Sequence, residues 1–83
     1  MNGSNKKVVT RAFGKRLRDV RKSKKLSQER LGHLIGLTVS QVGRIERGQI
    51  NTSLMMIYNL AIALDVQPYY LLMADFSEET GSE

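Results

Sequence analysis

The sequence predicts an all-α domain of five helices, and three observations lead to this fold class. Apolar residues recur at intervals of three and four along most of the chain, as they do on one face of a helix. No useful run alternates apolar and polar residues as a strand would, and no Asn-Gly or Asp-Gly turn joins two such runs. With 83 residues and 41% hydrophobic content, the chain can bury one core, so we expect a single domain.

The first helix is expected over residues 11–24. Phe13, Leu17 and Val20 have the i, i+4, i+7 spacing of one helical face. Basic residues surround that stripe, which predicts a basic amphipathic helix. Residues 1–9 are expected to form a flexible basic arm that precedes the helical domain of residues 10–74.

Two short helices with a turn between them are expected next. Ser27 is an N-cap candidate for a helix over residues 28–35, and Gly36 ends that helix. The run Thr38-Val39-Ser40-Gln41 has the pattern of a capping box, so the third helix starts at Val39. Gly48 suits the left-handed turn that ends it, which gives a short helix over residues 39–47.

The last two helices are predicted from a cap and a proline. Ser53 is the N-cap candidate of the fourth helix, and Pro68 suits the first position of a short fifth helix that reaches about Met73. The inner face of this region is assigned to Leu54, Ile57, Leu60, Ala61, Leu64, Val66 and Leu71. Residues 75–83 are expected to form a flexible acidic tail.

Charge is divided unevenly between the two parts of the chain. Residues 1–47 hold all 13 lysines and arginines against three acidic residues, a formal charge of +10, whereas residues 48–83 hold five acidic residues and no base. A single-sign surface confined to one part of a small fold favours an anionic polymer as partner. A solvated charge run without function is the alternative to that interpretation.

The two short helices and their turn resemble a known DNA-binding family. Two such helices, the second with small and polar residues, meet the requirements of a helix that lies in the DNA major groove. Ser27-Gln28, Gly36 and Ile45-Glu46-x-Gly48 are spaced as in lambda-repressor-like, Cro or XRE-type helix-turn-helix regulators, and the resemblance extends from Phe13 to about Leu72. It implies a compact lambda-repressor-like fold and binding to double-stranded DNA.

The resemblance also implies a set of DNA contacts. Gln28 matches a phosphate-binding position at the start of the second helix, and the phosphate-binding set also includes Thr38, Arg47 and Asn51. The positions that face base edges are Val39, Ser40, Gly43 and Arg44. Arg44 is the strongest candidate, because a guanidinium can bond guanine O6 and N7 together.

Arg21 and Glu46 match a partly buried ion pair in the same family. Glu46 is interpreted as structural, since a carboxylate that faces phosphates would repel them.

Gly43 leaves two alternatives, a lost base contact or a close approach of the backbone to the groove. Lys6 and Lys7 similarly belong either to an arm that follows a DNA groove or to a disordered tail. Lys25 stands where the family commonly has glycine, in a turn that favours positive φ.

Apolar residues remain in the last two helices after the core is assigned. They predict an exposed patch, and such patches usually mark interfaces. We expect a homodimer interface there, because one recognition helix reads only about four to five base pairs and two-fold symmetry requires an inverted-repeat operator. The alternative is that several methionines pack into the core. The predicted interface consists of Met55, Ile62, Tyr69, Tyr70, Met73 and Phe76.

The predicted function is that of a non-enzymatic, sequence-specific transcriptional regulator of the repressor type. An antitoxin or a restriction-modification controller with the same fold is the alternative, and so is a helix-turn-helix interaction module of a coactivator. A toxin or RNA polymerase is a further possible partner.

The sequence has no phosphate-binding loop, cysteine nucleophile or paired metal ligands, and His33 is isolated, so no cofactor or metal is expected. Neither a membrane span nor a secretory signal is expected, which makes the cytoplasm the default compartment.

Overall fold

The computed structural model describes residues 5–75, and every regular element within them is a helix. The five helices are α1 (Lys6–Ser23), α2 (Gln28–Ile35), α3 (Val39–Glu46), α4 (Leu54–Leu64) and α5 (Pro68–Leu71). The predicted fold class is therefore confirmed. Most of the predicted acidic tail lies outside the described residues.

Local capping sets the helix boundaries around the turn. The hydroxyls of Ser27, Thr38 and Ser53 each accept a bond from the backbone N–H three residues later, at 2.9, 3.1 and 3.1 Å. Gly36 and Gly48 follow α2 and α3 with φ of 78° and 75°. Because glycine adopts positive φ without a steric penalty, these two residues let the chain leave each helix sharply. The predicted end of α2 is confirmed, whereas α3 ends at Glu46, one residue before the predicted end.

The first helix begins earlier than the sequence predicted. Residues 6–9 were assigned to a flexible arm, but they form the first turn of α1. Val9 lies one turn before Phe13 and extends the apolar stripe, and both line a small apolar cavity of about 90 Å³ beneath the start of α1. The Thr10 hydroxyl also bonds the carbonyl oxygens of Lys6 and Lys7 at 3.1 and 3.3 Å. The arm assignment was therefore wrong for residues 6–9.

One apolar core joins all five helices. The predicted inner residue Leu54 is an exception, because it is 77% exposed at the first position of α4. Its neighbour Met56 packs against the core instead. No helix within residues 5–75 combines the length and apolar content needed to cross a membrane. The buried core consists of Phe13, Leu17, Val20, Leu31, Val42, Ile45, Leu60, Ala61, Leu64 and Leu71.

Two glycines allow α1 to cross the end of α3 at close range. A Cβ on Gly14 would lie 2.4 Å from the carbonyl oxygen of Glu46 and 2.5 Å from that of Ile45. A Cβ on Gly48 would lie 2.7 Å from the Cα of Arg11. Real Cβ atoms do not approach backbone atoms this closely. The close packing of α1 against the end of α3 therefore requires glycine at these two positions.

Candidate nucleic-acid interface

Helix α3 buries one side and presents the other to solvent. Val42 and Ile45 are 0% and 4% exposed and join the core. Val39, Ser40 and Arg44 are exposed. The side chains available for contact are thus an aliphatic group, a hydroxyl and a guanidinium, which suit a thymine methyl, several base edges and guanine, respectively.

A surface groove of about 630 Å³ lies beside α3, between α1 and α2. Arg18 and Arg47 bring positive charge to it, and Gln28 and Val39 also line it. The N-terminus of α2 adds partial positive charge, because the first N–H groups of a helix have no partner within the helix. Glu29 and Glu46 line the groove together with Arg18, Arg21 and Arg47, so the lining has a formal charge of +1 and offers hydrogen-bond donors.

The predicted ion pair between Arg21 and Glu46 is present beneath this groove. Arg21 Nε donates to Glu46 Oε2 at 2.6 Å and Nη2 donates to Oε1 at 3.1 Å, so the pair is bidentate. The two side chains are 8% and 3% exposed. Arg21 Nη1 also donates to the Leu26 carbonyl oxygen at 2.8 Å. This pair therefore joins α1 to the end of α3 and to the turn before α2.

Gln28 belongs to the same network. Its Nε2 donates to Glu46 Oε1 at 2.8 Å, and the side chain is partly buried. Gln28 was predicted only as a phosphate contact, and this inward bond was not predicted. A carboxamide carries two N–H groups, so one is engaged by Glu46 and the other is available to a phosphate oxygen.

Gly43 is buried, although the sequence analysis placed it among the exposed positions that face base edges. A Cβ at this position would lie 2.9 Å from Nη1 of Arg47 and 3.7 Å from Nε2 of Gln28. Gly43 also lines the groove beside α3, so an approach of its backbone to a base stays a prediction. Its missing side chain makes room for the guanidinium of Arg47 across the surface of α3.

Thr38 and Asn51 complete the predicted phosphate-binding set, which also includes Gln28 and Arg47. Thr38 completes a capping box, because its N–H donates to Gln41 Oε1 at 2.9 Å while its hydroxyl oxygen accepts from the Gln41 N–H. The hydroxyl proton of Thr38 is not used in that bond and is available to a phosphate. Asn51 is exposed in the loop after α3.

The predicted interface residues of α4 and α5 are exposed where the structure describes them. Met55, Ile62 and Tyr69 are 63%, 62% and 65% exposed. Met73 is also exposed, and Phe76 lies outside the described residues. The alternative in which these methionines fill the core is wrong for Met55 and Met73.

Tyr70 differs from the rest of this group. The guanidinium of Arg16 lies 4.2 Å from the centre of its ring, and Arg16 Nε donates to the Tyr70 carbonyl oxygen at 2.9 Å. This cation–π contact ties α5 to α1. Tyr58 and Leu72 are 49% and 48% exposed and were not among the predicted interface residues. For Tyr58 a signal existed, since it lies three residues after Met55 and four before Ile62 on one side of α4.

Comparison with known proteins agrees with this geometry. The helix-turn-helix family HTH_3 matches residues 17–71. An uncharacterized HTH-type transcriptional regulator of Sinorhizobium fredii, y4aM, is 33% identical over 69 residues, which are 83% of this chain and 48% of that protein. The chain thus spans about half of the length of this curated relative.

Two solved structures are similar in both sequence and fold. The restriction-modification controller protein C.AhdI from Aeromonas hydrophila is 53% identical, with a TM-score of 0.70, over 77% of this chain and 94% of the other. The P22 c2 repressor, solved in complex with a synthetic operator, is 32% identical, with a TM-score of 0.68, over 80% of this chain and 100% of the other. This chain accordingly belongs to the helix-turn-helix family of DNA-binding transcriptional regulators.

Proposed function

We propose that this protein is a sequence-specific, homodimeric regulator that represses transcription by occupying an inverted-repeat operator. The main support for this proposal is that α3 is buried on one side and exposed on the other. Val42 and Ile45 anchor the helix in the core, while Arg44 stands exposed with Val39 and Ser40 on the opposite side. An anchored helix with a free guanidinium is suited to reading base edges in the major groove.

The phosphate contacts in this proposal surround that helix. Thr38 and Gln28 each have a donor left after their internal bonds, and Arg47 and Asn51 follow the end of α3. Such contacts fix the register of the protein on the duplex but carry no direct sequence information. Sequence preference is therefore assigned to the exposed residues of α3.

A homodimer is supported by an uncharged stripe on α4. Met55, Tyr58 and Ile62 have i, i+3, i+7 spacing and are all about half exposed or more. No lysine or arginine follows residue 47, so like positive charges do not oppose the approach of a second copy through this region. Two recognition helices that enter successive major grooves would read half-sites whose centres are about 10 to 10.5 base pairs apart.

A restriction-modification controller is the candidate that the comparisons favour within this class. The 53% identity to C.AhdI covers 94% of that protein, whereas the P22 c2 repressor is 32% identical. Controller and repressor share the fold and the DNA-binding helix, and they differ in the genes that they control. A methyltransferase or endonuclease gene beside the gene for this protein, with the operator upstream, would support the controller assignment.

Selection of bound duplexes from a random-sequence pool tests the proposed function. We expect an enriched motif with two inverted half-sites. A salt titration on the selected duplex and on a random duplex then separates base readout from general attraction, because phosphate contacts alone give the same affinity for both. The absence of any enriched motif would contradict sequence-specific binding and favour an interaction module that holds nucleic acid non-specifically.

A further inference from the structure

A second groove, of about 570 Å³, lies on the other side of Arg47. It runs between the first two turns of α1 and the loop that follows α3, and Lys6, Lys7, Arg11 and Asn51 line it together with Arg47. No aspartate or glutamate lines it. The groove is therefore strongly basic, and we refer to it below as the α1 groove.

The backbone holds the two walls of the α1 groove together. Gly48 has a φ of 75°, and a Cβ there would lie 2.7 Å from the Cα and 2.8 Å from the backbone nitrogen of Arg11. The loop after α3 thus packs directly on α1. The charges on the first turns of α1 consequently have a fixed position relative to α3, which a flexible arm would not provide.

The arrangement of charge in the α1 groove is unfavourable for the free protein. The salt bridges within residues 5–75 are Lys15–Asp19 and Arg21–Glu46, so none of the four cations of the groove is paired there. Lys6 and Lys7 also lie at the N-terminal end of α1, where the helix dipole repels positive charge, and no acidic residue lies in that turn. A bound anion would relieve both sources of repulsion.

Arg47 connects the α1 groove to the groove beside α3, because it lines both. A duplex seated on α3 continues past Arg47 as a regular polyanion with one charge for about every 1.7 Å of its axis. We propose that the α1 groove binds backbone phosphates of double-stranded DNA next to the segment that α3 reads. The inference rests on the proposed function. The family match starts at residue 17, so Lys6, Lys7 and Arg11 are an addition to the matched segment.

The test compares two double variants of equal charge. Lys7→Gln with Arg11→Gln removes two cations from the α1 groove, and Lys22→Gln with Lys24→Gln removes two exposed cations from the opposite end of α1. Each double variant lowers the formal net charge from +5 to +3. Binding to a random-sequence duplex of several helical turns is measured over a range of salt concentrations, and thermal melting checks that both proteins are folded.

We expect the groove variant to lower the slope of log affinity against log salt by about 1.8, which corresponds to two lost phosphate contacts, and the control variant by less than about 0.5. Equal changes in the two variants would overturn the proposal. Since Arg11 packs against Gly48, Lys6→Gln with Lys7→Gln provides the same comparison without altering that contact.

The random duplex separates this inference from the proposed function. One outcome is that the groove variant lowers the salt slope more than the control variant does, while the duplex selection yields no enriched motif. That outcome would support phosphate binding in the α1 groove and contradict sequence-specific regulation. An enriched motif with equal slopes for the groove and control variants would leave sequence-specific regulation intact and overturn the α1 groove as a phosphate site.

Discussion

Gln28 donates a 2.8 Å hydrogen bond to Oε1 of Glu46, the same oxygen that accepts from Nη2 of Arg21. The first residue of α2 is thereby joined to the last residue of α3 and, through it, to α1. Residues that share one network do not contribute independently to stability. Substitutions at Gln28 and Glu46 should therefore affect both folding and DNA binding, in different proportions.

Glu46→Ala is expected to lower the free energy of unfolding by about 3 to 5 kcal/mol, because it leaves the Arg21 guanidinium buried without its carboxylate. Denaturant unfolding measures the change. Asp19→Ala is the matched control, since it breaks the exposed Lys15–Asp19 pair and should have an effect below about 1 kcal/mol. Similar losses in the two variants would show that the buried pair is not a main support of the fold.

Gln28→Ala is expected to weaken binding to all DNA sequences by a similar factor, since a lost phosphate contact does not depend on the bases. It should also lower stability by about 1 kcal/mol, because one hydrogen bond to Glu46 disappears. Binding to selected and random duplexes, measured beside thermal melting, checks both effects. A loss confined to the selected duplex would assign Gln28 to base readout instead.

Arg44→Ala is expected to reduce specific binding by about 1 to 3 kcal/mol and to relax selectivity at one base pair in each half-site. Folding should change little, since the Arg44 side chain is exposed and forms no hydrogen bond within residues 5–75. Repeating the duplex selection with the variant shows which base pair loses its preference. If binding to random duplexes falls by the same factor, Arg44 contacts a phosphate and its assignment to base readout is wrong.

Gly14→Ala and Gly43→Ala should have opposite effects on stability. Both substitutions gain up to about 1 kcal/mol of helix propensity. At Gly14 the new methyl meets the backbone carbonyl oxygens of Ile45 and Glu46, and overpacking of this kind costs about 1 to 3 kcal/mol. At Gly43 it meets only the flexible ends of the Arg47 and Gln28 side chains. Thermal melting of the pair tests the contrast, and a melting temperature for Gly14→Ala as high as that for Gly43→Ala would contradict the close helix crossing.

Met55→Asp with Ile62→Asp is expected to give a folded monomer that binds the full operator more weakly than the dimer does. Two carboxylates would be buried without partners if the α4 stripe formed the interface. Sedimentation at tens of micromolar protein measures the association, and Lys22→Gln with Lys24→Gln is a control with the same net charge. A monomeric unmodified protein, with and without a palindromic site, would exclude the interface. Tyr70 is a less suitable position, because its ring packs on Arg16.

Local chemistry explains why much of the fold was predictable. Ser27 and Thr38 cap helices through residues three positions away, and the positive φ of 60° at Lys25 follows from the turn between α1 and α2. The Arg21–Glu46 pair was predictable for another reason. Its two residues are far apart in sequence, and only the family resemblance brought them together.

The failures of prediction concern packing between elements. Leu54 fits the apolar period of α4, yet it lies at the first position of the helix, beyond the reach of the other helices. The burial of Gly43 depends on where the Arg47 side chain lies, which no local pattern specifies. The helical start of α1 includes Val9, which lines the same small cavity as Phe13, and the basic residues around Val9 concealed that continuation of the apolar stripe.

Helix α3 is fastened mainly at its C-terminal end. There, α1 crosses at Gly14 and the Glu46 carboxylate is bound from two directions, whereas the first turn is held at the surface by the Thr38 capping box. The C-terminal half of α3 therefore loses its conformational entropy during folding. DNA binding adds little further entropic cost there. The first turn has no such buried ion pair, and its residues Val39 and Ser40 are exposed. We expect the first turn to adapt when the two half-sites of an operator differ in sequence, while the buried end of α3 at Ile45 and Glu46 keeps one position.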